Sequence, residues 1–343
     1  MKKYLAAVLG VLFVLGFAAS AFAIHAEIPS ESQAVVAKGT TQITLGGEIR
    51  IRGWYLDNYA GNKRAVQLPT AGVSQGWYDT RVRLSVQADV SKNTTGFIHL
   101  QTEPENYGWG ALNNAPGTNS GTVSDDMNLL EAWILHKGSG LGIPTGLKIG
   151  HMPLALGEKQ FLDHTHSGDD AIVFFMDPTK ELHIGLVTAK LVDGTSATAS
   201  DGDADAYVAL AVYKTSIGSF GVNYTYIDDG GSTVATLGQK FTFQNLGLHA
   251  NGKIAGLTYG AEFDQQFGNQ SDTRKFKGYG IFANVGYKID PINLRAAYGM
   301  GSSNATNTDA NKNKDFQATL GNDIHYTFIY EYTTQDASSS RQI

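Results

Sequence analysis

Charged residues stand at every second position in several short stretches of this chain. Glu48, Arg50 and Arg52 do so in GGEIRIRGWYL, Arg81 and Arg83 in YDTRVRLSVQADV, and Glu262 and Asp264 in GLTYGAEFDQQ. Glu131, Lys148, Arg295 and the polar Gln101 sit in similar alternating surroundings. A strand sends successive side chains to opposite faces, so each set lines one face. The chemistry open to such a face is electrostatic. Guanidinium groups stay charged at any physiological pH. A ladder of them facing acids across a narrow, water-filled passage sets up a transverse field that orders water and sorts solutes by charge. The plainer reading is that these charges solvate a wet wall and pair with one another.

A second cluster lies in MPLALGEKQFLDHTHSGDD: Glu158, Lys159, Asp163, His164, His166, Asp169 and Asp170. Imidazole and carboxylate together suit zinc or a related ion. Their spacing fits no established metal motif, so the expectation is a polar loop without metal. Asp201, Asp203 and Asp205 in DGDADA match the start of a calcium loop. That pattern needs Gly at its sixth position and Glu at its twelfth, where Ala206 and Val212 stand. What remains there is a weak surface site for a divalent ion of the kind that bridges lipopolysaccharide. No G-x-S-x-G, H-E-x-x-H or phosphate-cradling loop occurs. His99, His183, His249 and His325 are lone strand histidines and read as polar lumen or rim groups. The sequence offers no catalytic residue and no cofactor site, and the protein is expected not to be an enzyme.

The elements that carry these residues share one pattern. In YDTRVRLSVQADV, Val82, Leu84, Val86, Ala88 and Val90 alternate with Arg81, Arg83, Ser85, Gln87 and Asp89. That span of about ten residues is what a tilted strand needs to cross a bilayer. The period-two test finds about fourteen such segments. They centre near Arg50, Leu84, Leu100, Trp133, Ile149, Phe174, Leu186, Leu210, Tyr224, Leu246, Tyr259, Ala283, Ala296 and Phe328, weakest at Ile149, Phe174 and Leu246. Long polar gaps alternate with short ones such as SKNTT, DPTKE, KTSIGS, NGK and DP. One rim of short turns and one of long loops is the habit of outer-membrane barrels. Ile49 and Ile51 then face lipid, and Glu48, Arg50 and Arg52 face a lumen. Trp54, Tyr55, Trp77, Tyr78, Tyr226 and Tyr298 fall near one set of strand ends, Tyr213 and Tyr287 near the other, as two aromatic girdles would.

The first residues carry Lys2 and Lys3, an apolar run from Leu5 to Ala19, and Ala21-Phe22-Ala23, which together read as a secretory signal peptide. Losing it takes the formal charge from −6 to about −8. An acidic chain without a basic patch is not built for nucleic acid. The absence of cysteine excludes a small disulfide-stapled scaffold.

The stretch LKIGHMPLALGEKQFLDHTHSGDDAIVFF resembles the porins of the alginate-export-like superfamily and related Gram-negative porins, with Ile149, Gly150, Leu154 and Gly157 as an IG-x-x-x-L-x-x-G motif. Leu320 to Gln335 and Arg81 to Gln101 resemble a late strand and the second and third strands of the same group. The resemblance implies an all-β fold, a transmembrane antiparallel up-and-down β-barrel, and a long loop near residue 160 that folds inward and narrows the pore. Barrels of this kind usually end on Phe or Trp, whereas this chain ends DASSSRQI. The expectation is therefore about fourteen visible strands, with 16–18 in a full-length protein. The expected division is a signal peptide at 1–23, a periplasmic segment at 24–40 and the barrel at 41–343. The expected function is passive diffusion of small hydrophilic, anionic solutes. The alternatives are a plugged structural or adhesion barrel and a barrel hydrolase. The expected partners are outer-membrane lipid, lipopolysaccharide, the solutes and further copies of the chain in a homotrimer.

Overall fold

The computed structural model describes residues 34–38, 41–56, 75–103, 107–108, 126–165, 168–193, 202–230, 241–305 and 307–318. These residues are all-β, an antiparallel up-and-down arrangement with no helix among them. They fall into two compact units. The signal-peptide segment, and the strand expected around Phe328 with any closure through it, lie outside the described residues.

The first unit holds β1 (Ala34–Lys38), β2 (Thr41–Leu56), residues 75–87 of β3 (Gln75–Ser91), residues 98–103 of β4 (Thr94–Glu103) and β5 (Tyr107–Gly108). Within the stretch expected to be a periplasmic segment, β1 folds back on β2 and pairs Ala34 with Leu45 and Lys38 with Thr41. β2 lies beside β3, and Asp79 of β3 pairs with Gly108 of β5. Along β2 the odd positions Ile43, Leu45, Ile49 and Ile51 are exposed, whereas Glu48, Arg50 and Arg52 are half-buried.

The second unit begins with the hairpin tip at residues 88–97 and continues through residues 130–140 of β6 (Asp126–Gly140), whose first four residues belong to the first unit, and β7 (Ile143–Met152). β8 (Asp169–Met176), β9 (Leu182–Val192), β10 (Ala204–Thr215), β11 (Gly218–Asp229), β12 (Phe241–Ile254) and β13 (Leu257–Asn269) follow. After the short β14 (Lys275–Phe276) come β15 (Tyr279–Ile289), β16 (Ile292–Gly301) and the short β17 (Lys312–Asn313). From β6 to β13 each strand pairs antiparallel with the next, then β13 with β15 and β15 with β16.

Two-residue turns close one set of hairpins. Leu141-Gly142 and Ala255-Gly256 each take positive φ at both positions, 53° and 80° in the first and 49° and 87° in the second. That is the backbone twist a tight hairpin demands. The second turn corrects the reading of NGK as a connection. The ladder runs through Asn251, Gly252 and Lys253 to the pair Ile254–Leu257 before it turns.

The packing is inverted relative to a water-soluble sheet. Val222, Leu248, Phe263 and Ile281 form one cross-strand row on β11, β12, β13 and β15, and all are 37–49% exposed. The opposite face carries Asn223 with Asp264, and Thr225 with Asn245 and Gln266, each at most 2% exposed. A contiguous apolar face of this kind marks contact with a membrane or partner. The buried apolar residues gather elsewhere, around Met152, Leu156, Phe161, Leu162, Phe243 and Phe276.

Candidate functional site

In the first unit, Glu48 organises the arginines. Arg81 grips Glu48 through one terminal nitrogen and through Nε, the latter at 3.1 Å. Arg83 approaches the second Glu48 oxygen at 3.8 Å and donates from Nε to Gln101 Oε1 at 2.6 Å. Arg81 is buried and Arg83 half-buried. Arg50 and Arg52 share the face of Glu48 on β2. The antiparallel placement of β2 against β3 brings the four arginines and Glu48 onto the same face, as the two-residue period requires.

In the second unit, the residues between β7 and β8 fold against the polar face of the sheet. Gly150 (φ 131°) and Gly157 (φ 54°) take conformations that L side chains rarely adopt. A Cβ on Gly157 would lie 2.5 Å from Glu262 Oε2. The motif glycine thus lets the loop backbone seat on the wall. There the Glu158 amide donates to Glu262. The Glu158 carboxylate accepts from Asn251 Nδ2 at 3.0 Å and from Asn284 Nδ2 at 3.3 Å. Phe161 stacks on Phe243 with centroids 5.8 Å apart and is 1% exposed. Backbone bonds from Leu156 to Leu162 and from His164 to Leu154 close the loop on itself.

The remaining loop residues hold that shape. Lys159 donates to Asp163 and to Thr165, both at 3.3 Å. Thr165 donates its hydroxyl to Asp163 at 2.5 Å. His164 pairs with the buried Asp169 at 2.8 Å, and His151 pairs with Asp170 at 3.0 Å. His166 lies outside the described residues. Among the described residues no three His, Asp or Glu side chains converge as a ligand set.

Burial works against ionisation of Asp163, but the Thr165 hydroxyl and amide and the Lys159 ammonium outweigh it. Its pKa is held below the ordinary 3.8. A carboxyl depressed in the folded state stabilises above its unfolded pKa, and that contribution is lost as pH falls through the folded value. Asp163→Asn is expected to weaken loop docking by about 1 kcal/mol at pH 7. Once the pH has fallen below the folded value, where both side chains are neutral, it is expected to have little effect. Amide exchange of the loop at the two pH values checks this; an equal effect at both would refute the ionic role.

The other wall candidates separate. Glu131 and Lys148 meet through Trp133, whose indole donates to Glu131 at 2.8 Å and whose ring lies 4.0 Å from Lys148 Nζ. Trp133 is therefore a wall residue that sequence reasoning treated only as a strand centre. Its tie to Glu131 two positions earlier was available from the alternation. Glu262 and Asp264 are 3% and 1% exposed, beneath the loop. Arg295 is exposed, opposite Gly286 in register and on the Glu262 face. In the DGDADA stretch Lys190 bridges Asp203 and Asp205 at 2.8 and 2.7 Å, and Asp201 lies outside the described residues. His183 pairs with Asp177 at 2.8 Å.

No protein-family model matches the chain, and no curated protein matches it. Among solved structures it is similar to the OmpF porin of Salmonella typhi, in a complex with daunomycin, at 12% identity and a TM-score of 0.40. The similarity covers 78% of this chain and 92% of that one.

Proposed function

We propose that the protein is an outer-membrane porin: a transmembrane β-barrel whose water-filled interior passes small hydrophilic solutes by passive diffusion, with a preference for anions. The observation that carries this reading is the inverted packing. The row Val222, Leu248, Phe263 and Ile281 is exposed, while charged and amide side chains line the opposite face. Lipid satisfies the first face and water the second. The loop docked on the polar face, through Glu158 and Phe161, supports a role in narrowing the passage. The partners proposed with this function are outer-membrane lipid and lipopolysaccharide around the barrel, the solutes within it, and two further copies of the chain in a trimer. The charged side chains act through their field and form no covalent intermediate.

The anion preference is proposed from the arginine wall. Arg50, Arg52, Arg81 and Arg83 put four guanidinium groups on the same side of the sheet as Glu48, which pairs with Arg81 and Arg83. Physiological salt limits the reach of such a field to about 8 Å, so selectivity is expected to be weak. The test is the full-length protein in planar bilayers. Stepwise ohmic conductance is expected, with a reversal potential in a salt gradient that reports anions. Changing the four arginines to Gln is expected to move that potential to neutral or cation preference. A chain that inserts without conducting overturns the porin reading. An unchanged potential in the variant overturns the role of the arginines.

A further inference from the structure

A second segment folds onto the same polar face as the loop between β7 and β8. After β16 the chain turns back, and β17 runs parallel to β14, pairing Lys312 with Lys275 and Asn313 with Phe276. Phe276 points to the polar face, where its ring meets Phe243 with centroids 5.0 Å apart. Residues 315–317 then cross that face over β13, β15 and β16. A stretch as polar as NATNTDANKNKD, which leads into them, would ordinarily stay over the rim in water.

The wall is shaped to receive this crossing. Gln266 is 0% exposed and shares its strand face with Glu262 and Asp264. Its side-chain amide donates to the Gln317 carbonyl and accepts from the Gln317 backbone amide, both at 2.8 Å. One side chain thus gives Gln317 the pair of bonds that a neighbouring strand would give it. Gly280 is opposite Asp264 on one side and Gly301 on the other. The two glycines leave that row bare, and Phe316 fills it. A Cβ on Gly280 would lie 2.8 Å from the ring, and one on Gly301 would lie 3.2 Å from Phe316 Cβ. Phe316 also packs against the cluster that holds Phe161, Phe243 and Phe276, so both segments share one apolar anchor.

The turn before the crossing is tied down as well. The Phe316 amide donates to the Ser302 carbonyl at 2.9 Å, and the Ser302 hydroxyl donates to the Lys314 carbonyl at 2.5 Å. Asn304 donates from its backbone and its side chain to the two oxygens of Asp315, at 2.7 and 2.5 Å. These bonds fix where the crossing starts, and Gln266 fixes where it ends. Backbone laid over a wall needs such partners for its own polar groups.

We infer that residues 315–317 form a second constriction element of the passage, with Phe316 as its anchor and Gln317 as the residue it presents to the solute. The inference rests on the porin reading, which makes this polar face the wall of a water-filled passage. On that wall the loop between β7 and β8 covers Asn251, Glu262 and Asn284. Residues 315–317 cover the adjacent Gln266, Gly280 and Gly301. Inserted backbone, rather than strand side chains, therefore lines both stretches, and the two inserts together set the bore. The Gln317 side chain is half-buried and donates to the Asp315 carbonyl at 2.9 Å, so its backbone alone holds it to the wall.

The experiment uses the full-length chain in planar bilayers. The sequence has no cysteine, so one introduced cysteine alone takes a bulky cationic methanethiosulfonate label, confirmed by mass. Gln317→Cys keeps the backbone groups that meet Gln266. Labelling it is expected to lower each conductance step. The same label on Ala310→Cys, in the exposed turn, is expected to leave the step unchanged. Phe316→Ala is expected to enlarge the step and to speed exchange of the Gln317 amide about tenfold, the effect of losing a half-buried ring. A labelled Gln317→Cys with an unchanged step overturns the inference, and this labelling decides the matter if Phe316→Ala fails to fold. Equal loss at both cysteines means that the label acts at the mouth, and also overturns it. In both cases the wild type conducts, and the porin reading stands. A wild type that inserts without conducting overturns the porin reading and takes this inference with it.

Discussion

Leu248→Arg is expected to lower the stability of the protein in phospholipid vesicles by about 2–4 kcal/mol. Leu248 lies at the middle of β12, is 49% exposed, and has Val222 and Phe263 as its cross-strand neighbours. In an aqueous protein an exposed leucine on a strand accepts arginine at almost no cost, because surface substitutions usually change stability by within about 0.5 kcal/mol. In a bilayer the same change buries a guanidinium in hydrocarbon. The measurement is reversible denaturant unfolding in vesicles, with Leu248→Ala as the size control. A Leu248→Arg variant as stable as Leu248→Ala would show that this face does not meet lipid, and the porin reading would fall with it.

Phe161→Ala is expected to cost about 3–5 kcal/mol of loop docking. Phe161 is 1% exposed, stacks on Phe243 and packs in the cluster with Met152, Leu156 and Leu162. The polar anchors alone are weak substitutes, since a net hydrogen bond contributes about 1 kcal/mol. At about 1.4 kcal/mol per factor of ten, amides that open with the loop should exchange roughly two to three and a half orders of magnitude faster. The amides to follow are Leu156 and His164, bonded to Leu162 and Leu154. Unchanged protection at both would show that the loop is held by something other than its aromatic anchor. If the porin reading holds, the same variant should conduct in larger and noisier steps, because a loosened loop no longer holds one constriction.

The second of these predictions could not have been drawn from the sequence. Glu158, Asp163, His164 and Asp169 were legible as a polar loop, and Gly157 as a motif position. That Phe161 is the anchor depends on Phe243, more than eighty residues away, reaching the same place. Likewise Glu48, Arg81 and Arg83 were legible as one charged face. Their pairing, with one carboxylate serving two arginines, needed the register of β2 against β3.

Strand periodicity is local, and so it survived without any fold. Alternation in YDTRVRLSVQADV or GLTYGAEFDQQ records which face meets oil, because neighbouring side chains on one strand point opposite ways whatever the partner. Even the weak segments around Ile149, Phe174 and Leu246 became β7, β8 and β12. What failed locally was fine placement. NGK resembled a turn, but continued pairing with β13 carried the strand to Ile254. β1 lacks the length and alternation of a spanning strand, and only its ladder with β2 reveals it as a strand at all. The tertiary structure alone decided which distant groups share a site. The docked loop and the buried polar rows of β11, β12 and β13, Thr225 with Asn245 and Gln266 and Asn223 with Asp264, depend on register, and register is a property of strand pairs that no single strand encodes.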